Sequence, residues 1–141
     1  MDLSPLEALS IKSACERLCL DYAHFADSGQ MDAWADLFAE DAQMRLFGKT
    51  HAGRAAIRQS VSAPGPNVTV HSMSNIRISP LGADRAAGVS IVTVYSADPA
   101  APPATLAPVI VGRYVDEYVL TPEGWRIARR EFQPVITRAQ G

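Results

Sequence analysis

The second half of the chain carries four long runs of strand character, Val68 to Ser79, Ala86 to Ala97, Pro108 to Leu120 and Trp125 to Gln133, parted by turn residues. Before them stands one long helical stripe. Alternating runs put apolar side chains on one face of a sheet, and that face must be covered. Helices grouped ahead of the strands, and not between them, predict an α+β fold with an antiparallel sheet. The expected architecture is a cone-shaped, curved, barrel-like antiparallel sheet, with the N-terminal helices packed on its concave face and enclosing a pocket. With 141 residues, the chain reads as a single domain, residues 1–141, large enough for a core and one modest cavity.

The helical half has clear punctuation. Ser4-Pro5-Leu6-Glu7 joins an N-cap serine, proline at the first helical position and glutamate at the capping-box position. Ile11, Cys15, Leu18, Tyr22 and Phe25 then recur at helical spacing, and Ser28-Gly29 ends the run. A second helix is expected over Met31 to Phe38, with Trp34, Leu37 and Phe38 as its apolar face. Ala42 to Phe47 alternates as a strand that turns at Gly48, and Gly53 to Ser60 reads as a third helix. Ser62 to Pro66 and Asp98 to Pro103 read as loops, the latter mobile.

Charge and composition exclude several classes. A net charge of −2 without a Lys/Arg run argues against nucleic acid or an anionic membrane as partner. No apolar stretch approaches the ~20 residues needed to span a bilayer. Met1-Asp2-Leu3-Ser4-Pro5 lacks the basic and apolar regions of a signal peptide. The two cysteines, Cys15 and Cys19, stand one helical turn apart and read as free buried thiols in a reducing compartment. A cytoplasmic protein is expected.

His71 is the chemistry-bearing residue around which the rest arranges. Imidazole is the side chain whose unperturbed pKa lies near neutrality. Thr69, His71, Met73 and Asn75 share one strand face of mixed character, while Val70, Ile76 and Ile78 form an apolar one. A mixed face suits a pocket wall; the plainer alternative is a core histidine bonded to a backbone carbonyl. Asp27, at the end of the first helix, is the candidate partner. The helix macrodipole disfavours a carboxylate there, so another contact should reward it. A bond to an imidazole would do so, fixing the tautomer and raising basicity.

Two further residues join this pair. Tyr22 lies on the helical stripe and, if buried, needs a partner for its hydroxyl. It stands roughly 140° from Asp27 around an ideal helix, so both face one cavity only if the last turn loosens. Arg129 and Arg130 are adjacent on the last strand, so one of them points inward. An inward arginine can orient an anionic or carbonyl oxygen.

Other candidates carry little. Cys15-x-x-x-Cys19 lacks a second ligand pair, and His24 and His51 have no metal-ligand spacing with His71. Asn67-Val68-Thr69 matches a glycosylation sequon, which has weight only in a secreted chain. Asp36, Glu40 and Asp41 read as a solvated face. No phosphate-binding glycine loop or dinucleotide fingerprint is present, so neither a metal nor a cofactor is implied.

The run from Tyr22 through Asp27 and Trp34 to Ala42 resembles the opening of SnoaL-like proteins of the nuclear-transport-factor-2-like superfamily. So do Gly53-Arg54-x-x-Ile57, Val70-His71-x-x-x-Asn75, Gly112-x-Tyr114-x-Asp116-x-Tyr118 and Gly124-Trp125-Arg126-Ile127. The chain is most similar to the branch holding hexachlorocyclohexane dehydrochlorinase, bile acid 7α-dehydratase and scytalone dehydratase. That resemblance implies a dyad in which Asp27 supports His71 as proton-abstracting base, with Tyr22 and Arg130 at the positions of further catalytic groups. The acidic residue these relatives carry on the middle strand has no counterpart in Ser90-Ile91-Val92-Thr93, and the second histidine of scytalone dehydratase is missing.

The resemblance implies a cofactor-independent lyase of the dehydratase type, acting on a small, hydrophobic, cyclic or aromatic substrate. Asn75, Tyr114, Trp34, Phe38, Met44 and Phe47 are the expected pocket lining. Double-bond isomerisation and retro-aldol cleavage use the same base and stay open. So does a non-catalytic binding module, or one like a dioxygenase small subunit. Relatives are dimers or trimers, and Val109, Val111, Val115 and Val119 supply an apolar sheet face for a homo-oligomer.

Overall fold

The computed structural model describes residues 2–61, 67–100 and 107–138. The expected loop at Ser62 to Pro66, and the part of the other loop from residue 101 on, lie outside them. Helix α1 (Pro5–Ser28) begins as its sequence dictates: Glu7 N–H donates to Ser4 Oγ at 3.2 Å, and Ser4 N–H donates to Glu7 Oε2 at 2.8 Å. It ends in a Schellman motif. Gly29, at φ 74°, donates to the Ala26 carbonyl and Gln30 to that of Phe25. Ile11, Cys15, Leu18, Cys19 and Tyr22 form its buried stripe.

Helix α2 (Met31–Ala35) stops three residues short of the expected end. Strand pairing wins there, because the Leu37 carbonyl accepts from Ile127 N–H at 2.8 Å and Phe38 opens β1 (Phe38–Leu46). The short strand β2 (Lys49–Ala52) was not expected; it pairs back on β1 through the Phe47-Gly48 turn. Helix α3 (Arg54–Ser60) then precedes β3 (Val68–Pro80), β4 (Arg85–Ala97), β5 (Ile110–Thr121) and β6 (Gly124–Thr137).

The six strands form one curved sheet in the order β2-β1-β6-β5-β4-β3, mostly antiparallel, with β1 and β6 parallel. The sheet does not close into a barrel, which leaves β2 and β3 as edges. Register shifts interrupt β1, β3 and β6, and such bulges bend the sheet around the helix. One bulge changes the reading of β3. Ser74 pairs with Ile91 but Arg77 with Val89, so one extra residue is inserted, and Asn75 takes φ 50° to absorb it. Alternation therefore switches: Met73, Ile76 and Ile78 pack against the core, while Asn75 and Val70 are exposed. The concave face carries Ala86, Val92, Tyr114, Tyr118, Ile127 and Phe132 against α1 and α2.

Candidate active site

A cavity of about 630 Å³ opens where the C-terminal end of α1 meets the beginning of β3 and the ends of β1, β4 and β5. Its size lies in the range of small-molecule sites, and its walls are mostly apolar. Asp27, His71, Tyr22, Trp34, Tyr114 and Phe47 all line it.

Asp27 and His71 meet through two bonds. Asp27 Oδ1 lies 2.5 Å from His71 Nδ1, and Oδ2 accepts the His71 backbone N–H at 2.8 Å. The backbone bond follows from β3 being an edge. Val94, opposite His71, gives its carbonyl to Val109 on the far side, so His71 and Val94 are a non-hydrogen-bonded pair. The His71 N–H therefore points away from the sheet, where only α1 can satisfy it. A carboxylate accepts and never donates, so the neutral imidazole keeps its proton on Nδ1. Nε2 then carries the free lone pair and has no protein hydrogen-bond partner among the described residues. This double bond is the reward that offsets the unfavourable end of the helix macrodipole.

The last turn of α1 does not loosen; the helix runs regularly through Ser28. Tyr22 and Asp27 nevertheless both line the same cavity. Tyr22 lies deep, its ring 5.3 Å from Trp34 and 5.5 Å from Tyr114. The Tyr22 and Tyr114 hydroxyls approach to 3.5 Å, a long contact. Burial pushes both phenols above their ordinary range, with the Arg130 charge opposing it, so each remains an O–H donor at neutral pH.

Arg130 is the inward arginine of its pair, yet it does not reach the cavity. It is wholly buried, and its Nε and Nη2 donate to the two carboxylate oxygens of Asp116, both at 2.8 Å. Its guanidinium lies 4.4 Å from the Tyr22 ring centroid and 4.0 Å from that of Tyr114. Tyr118 donates to Asp116 Oδ2 at 2.8 Å, and Cys19 Sγ stands 3.4 Å from Arg130 Nη2. The positive charge thus sits one layer behind the tyrosines. Cys15 and Cys19 are unpaired, and burial raises both thiols, Cys15 to about 12, so neither is a thiolate at neutral pH.

Three expected lining residues also lie elsewhere. Asn75 faces solvent because of the β3 bulge. Phe38 and Met44 are fully buried core side chains, Phe38 packed edge-on against Trp34 and Met44 paired across the sheet with Arg130. Asp116 is not among the expected site residues, although strand parity with Tyr114 and Tyr118 turns it inward beside Arg130. Phe132 and Ala26, which line the cavity, carried no comparable signal. No three His, Cys, Asp or Glu side chains converge as metal ligands among the described residues.

The SnoaL-like domain model matches residues 7–131 of the chain. Among curated proteins none matches it in sequence. Solved structures that share its fold include these three. A nuclear-transport-factor-2-like protein with a cystatin-like fold from Novosphingobium aromaticivorans has a TM-score of 0.78 at 24% identity, covering 93% of this chain and 86% of that one. A scytalone-dehydratase-like protein of the same organism has a TM-score of 0.77 at 23% identity, covering 94% and 89%. LinA has a TM-score of 0.71 at 21% identity, covering 99% and 100%. Since the family model spans the helix that carries Asp27, the strand that carries His71 and the sheet between them, the chain belongs to the SnoaL-like domain family.

Proposed function

We propose that the protein is a lyase that removes water from a small, uncharged, largely apolar cyclic or aromatic substrate, using its own side chains. The observation that carries this reading is the Asp27–His71 pair on the wall of the cavity, with Nε2 unengaged. In the proposed reaction Nε2 takes a proton from the carbon beside a carbonyl. The C–H electron pair forms the new double bond, the C–O bond at the neighbouring carbon breaks, and Nε2–H returns the proton to the departing hydroxide. The products are an unsaturated carbonyl compound and water. Asp27 holds the ring and stabilises the transient imidazolium.

Negative charge builds on the carbonyl oxygen during this step. Tyr22 and Tyr114 are donors suited to receive it, because burial keeps both protonated. Arg130 supports them from behind their rings and does not touch substrate. The likeness to a scytalone-dehydratase-like protein agrees in kind with such an elimination. As in the family branch that the sequence resembles, a homo-oligomer is proposed, built on the outer face of β5 that carries Val111 and Val115.

The test is a panel of cyclic and aromatic β-hydroxy ketones, followed by the absorbance of the conjugated product. His71→Ala is expected to lower kcat by about 10²–10⁴-fold with unchanged circular dichroism. Turnover at the wild-type rate in that variant would remove His71 as the base. Isomerised or carbon–carbon cleaved products would keep the base and replace the elimination, and saturable binding without any product would make the chain a binding module.

A further inference from the structure

Phe47 occupies a backbone position that aromatic residues avoid. Leu46 pairs with Lys49, which leaves Phe47-Gly48 as a two-residue hairpin loop with φ of 49° and 78°. Two positive φ values mark the primed turn whose first position favours Asn, Asp or Gly, because a Cβ there crowds the following carbonyl. Phe has no short polar side chain to offset this. Nor does burial, since the residue is 73% exposed. Backbone strain of this kind persists only where the surrounding structure holds it, and it clusters at ligand and active sites.

The ring has a definite place all the same. It lines the cavity and meets Phe132 edge to face, centroids 5.4 Å apart. Phe132 meets Tyr114 at 5.5 Å, and Tyr114 meets Tyr22 at 5.5 Å. Four aromatic rings therefore descend from the mouth of the cavity to its floor. Gly112 makes room for this column, because a Cβ there would fall 2.2 Å from the Phe132 ring.

We propose that Phe47 is a specificity-determining residue that contacts substrate at the cavity mouth and selects a flat, uncharged aromatic framework over a saturated ring. This rests on reading the cavity as the ligand site and adds the substrate class to it. A bound aromatic ring gains an edge-to-face or offset contact with Phe47 and covers its exposed surface, whereas a puckered saturated ring offers no such face. The strained turn is the cost of holding that ring where the backbone prefers asparagine.

The probe is prodan, an uncharged naphthalene ketone whose fluorescence shifts on leaving water, displaced in turn by tetralone and by its saturated counterpart decalone. Phe47→Asn is expected to raise the Tm by about 2–4 °C through relief of the turn. It should also weaken prodan binding about fivefold and abolish the preference for tetralone over decalone. Phe47→Trp should keep both. Prodan affinity unchanged in Phe47→Asn and Phe47→Ala, or no saturable prodan binding by the wild type, would overturn the proposal. So would a lowered Tm in Phe47→Asn. A His71→Ala protein that binds prodan normally separates the two readings: binding through Phe47 without any elimination by the wild type sinks the lyase and leaves this inference standing.

Discussion

Replacing Asp27 by asparagine tests the dyad more sharply than deleting it, because the shape is kept and only charge and hydrogen-bond character change. The carboxylate accepts two bonds from one residue, the His71 backbone N–H and Nδ1. An amide has a single acceptor oxygen. If that oxygen takes the backbone N–H, the amide NH2 faces Nδ1 and forces the ring proton onto Nε2, and the base is lost. If it takes Nδ1–H instead, a backbone donor on the edge strand loses its partner, at about 1–3 kcal/mol. The charge contribution is separate. Opposite charges about 4 Å apart attract by about 4 kcal/mol at an effective dielectric of 20. Both side chains are about one-fifth exposed, 20% and 22%. Solvent screening then leaves about 2–3 kcal/mol of imidazolium stabilisation. That corresponds to a loss of about 30- to 150-fold in kcat from charge alone. Asp27→Asn should therefore reduce kcat by at least about 30-fold, measured on the best substrate of the β-hydroxy ketone panel, with far-ultraviolet circular dichroism retained. A kcat within about threefold of wild type would refute the dyad.

Three other perturbations follow from the same structure. Asp116→Ala leaves the wholly buried Arg130 without its bidentate partner and should cost about 3–5 kcal/mol in urea unfolding, whereas Arg130→Met with Asp116→Leu should recover most of it. Stability should fall in alkali: Tyr22 and Tyr114 are held above the phenol value of 10.0, so their contribution is complete below that pH. It is lost as pH rises beyond that value, because the unfolded chain ionises first, and a urea midpoint equal at pH 9 and pH 11 would contradict this. Gly112→Ala drives Phe132 from its place, since the new Cβ would lie 2.2 Å from the ring. Both Tm and prodan affinity should drop, and unchanged affinity would free the cavity wall from dependence on that contact.

The main lines of this architecture were written in local patterns. Ser4, Pro5 and Glu7 set one end of α1 and Gly29 the other, and the four long strands follow from their turns. The parallel pairing of β1 with β6 was not legible, because it joins segments far apart whose periodicity is silent about partners. That pairing also cut α2 short at Ala35 and buried Phe38 and Met44 instead of leaving them on a pocket wall. Asn75 failed for a different reason. Strict alternation assumes an unbroken ladder, and one inserted residue reverses every later side chain in β3. The Asp27–His71 meeting was readable because a carboxylate at a helix C-terminus asks for compensation. Its second bond, to backbone, was hidden in the sheet order.

That second bond reaches beyond catalysis. An edge strand with a free N–H is a template on which another chain can pair and begin to aggregate. At residue 71 the position is occupied by Asp27, from the helix packed alongside. One carboxylate thus both sets the base and caps the edge at that point, so substitutions there exchange solubility together with rate. A variant tuned for activity at Asp27 has to be screened for self-association of β3 as well.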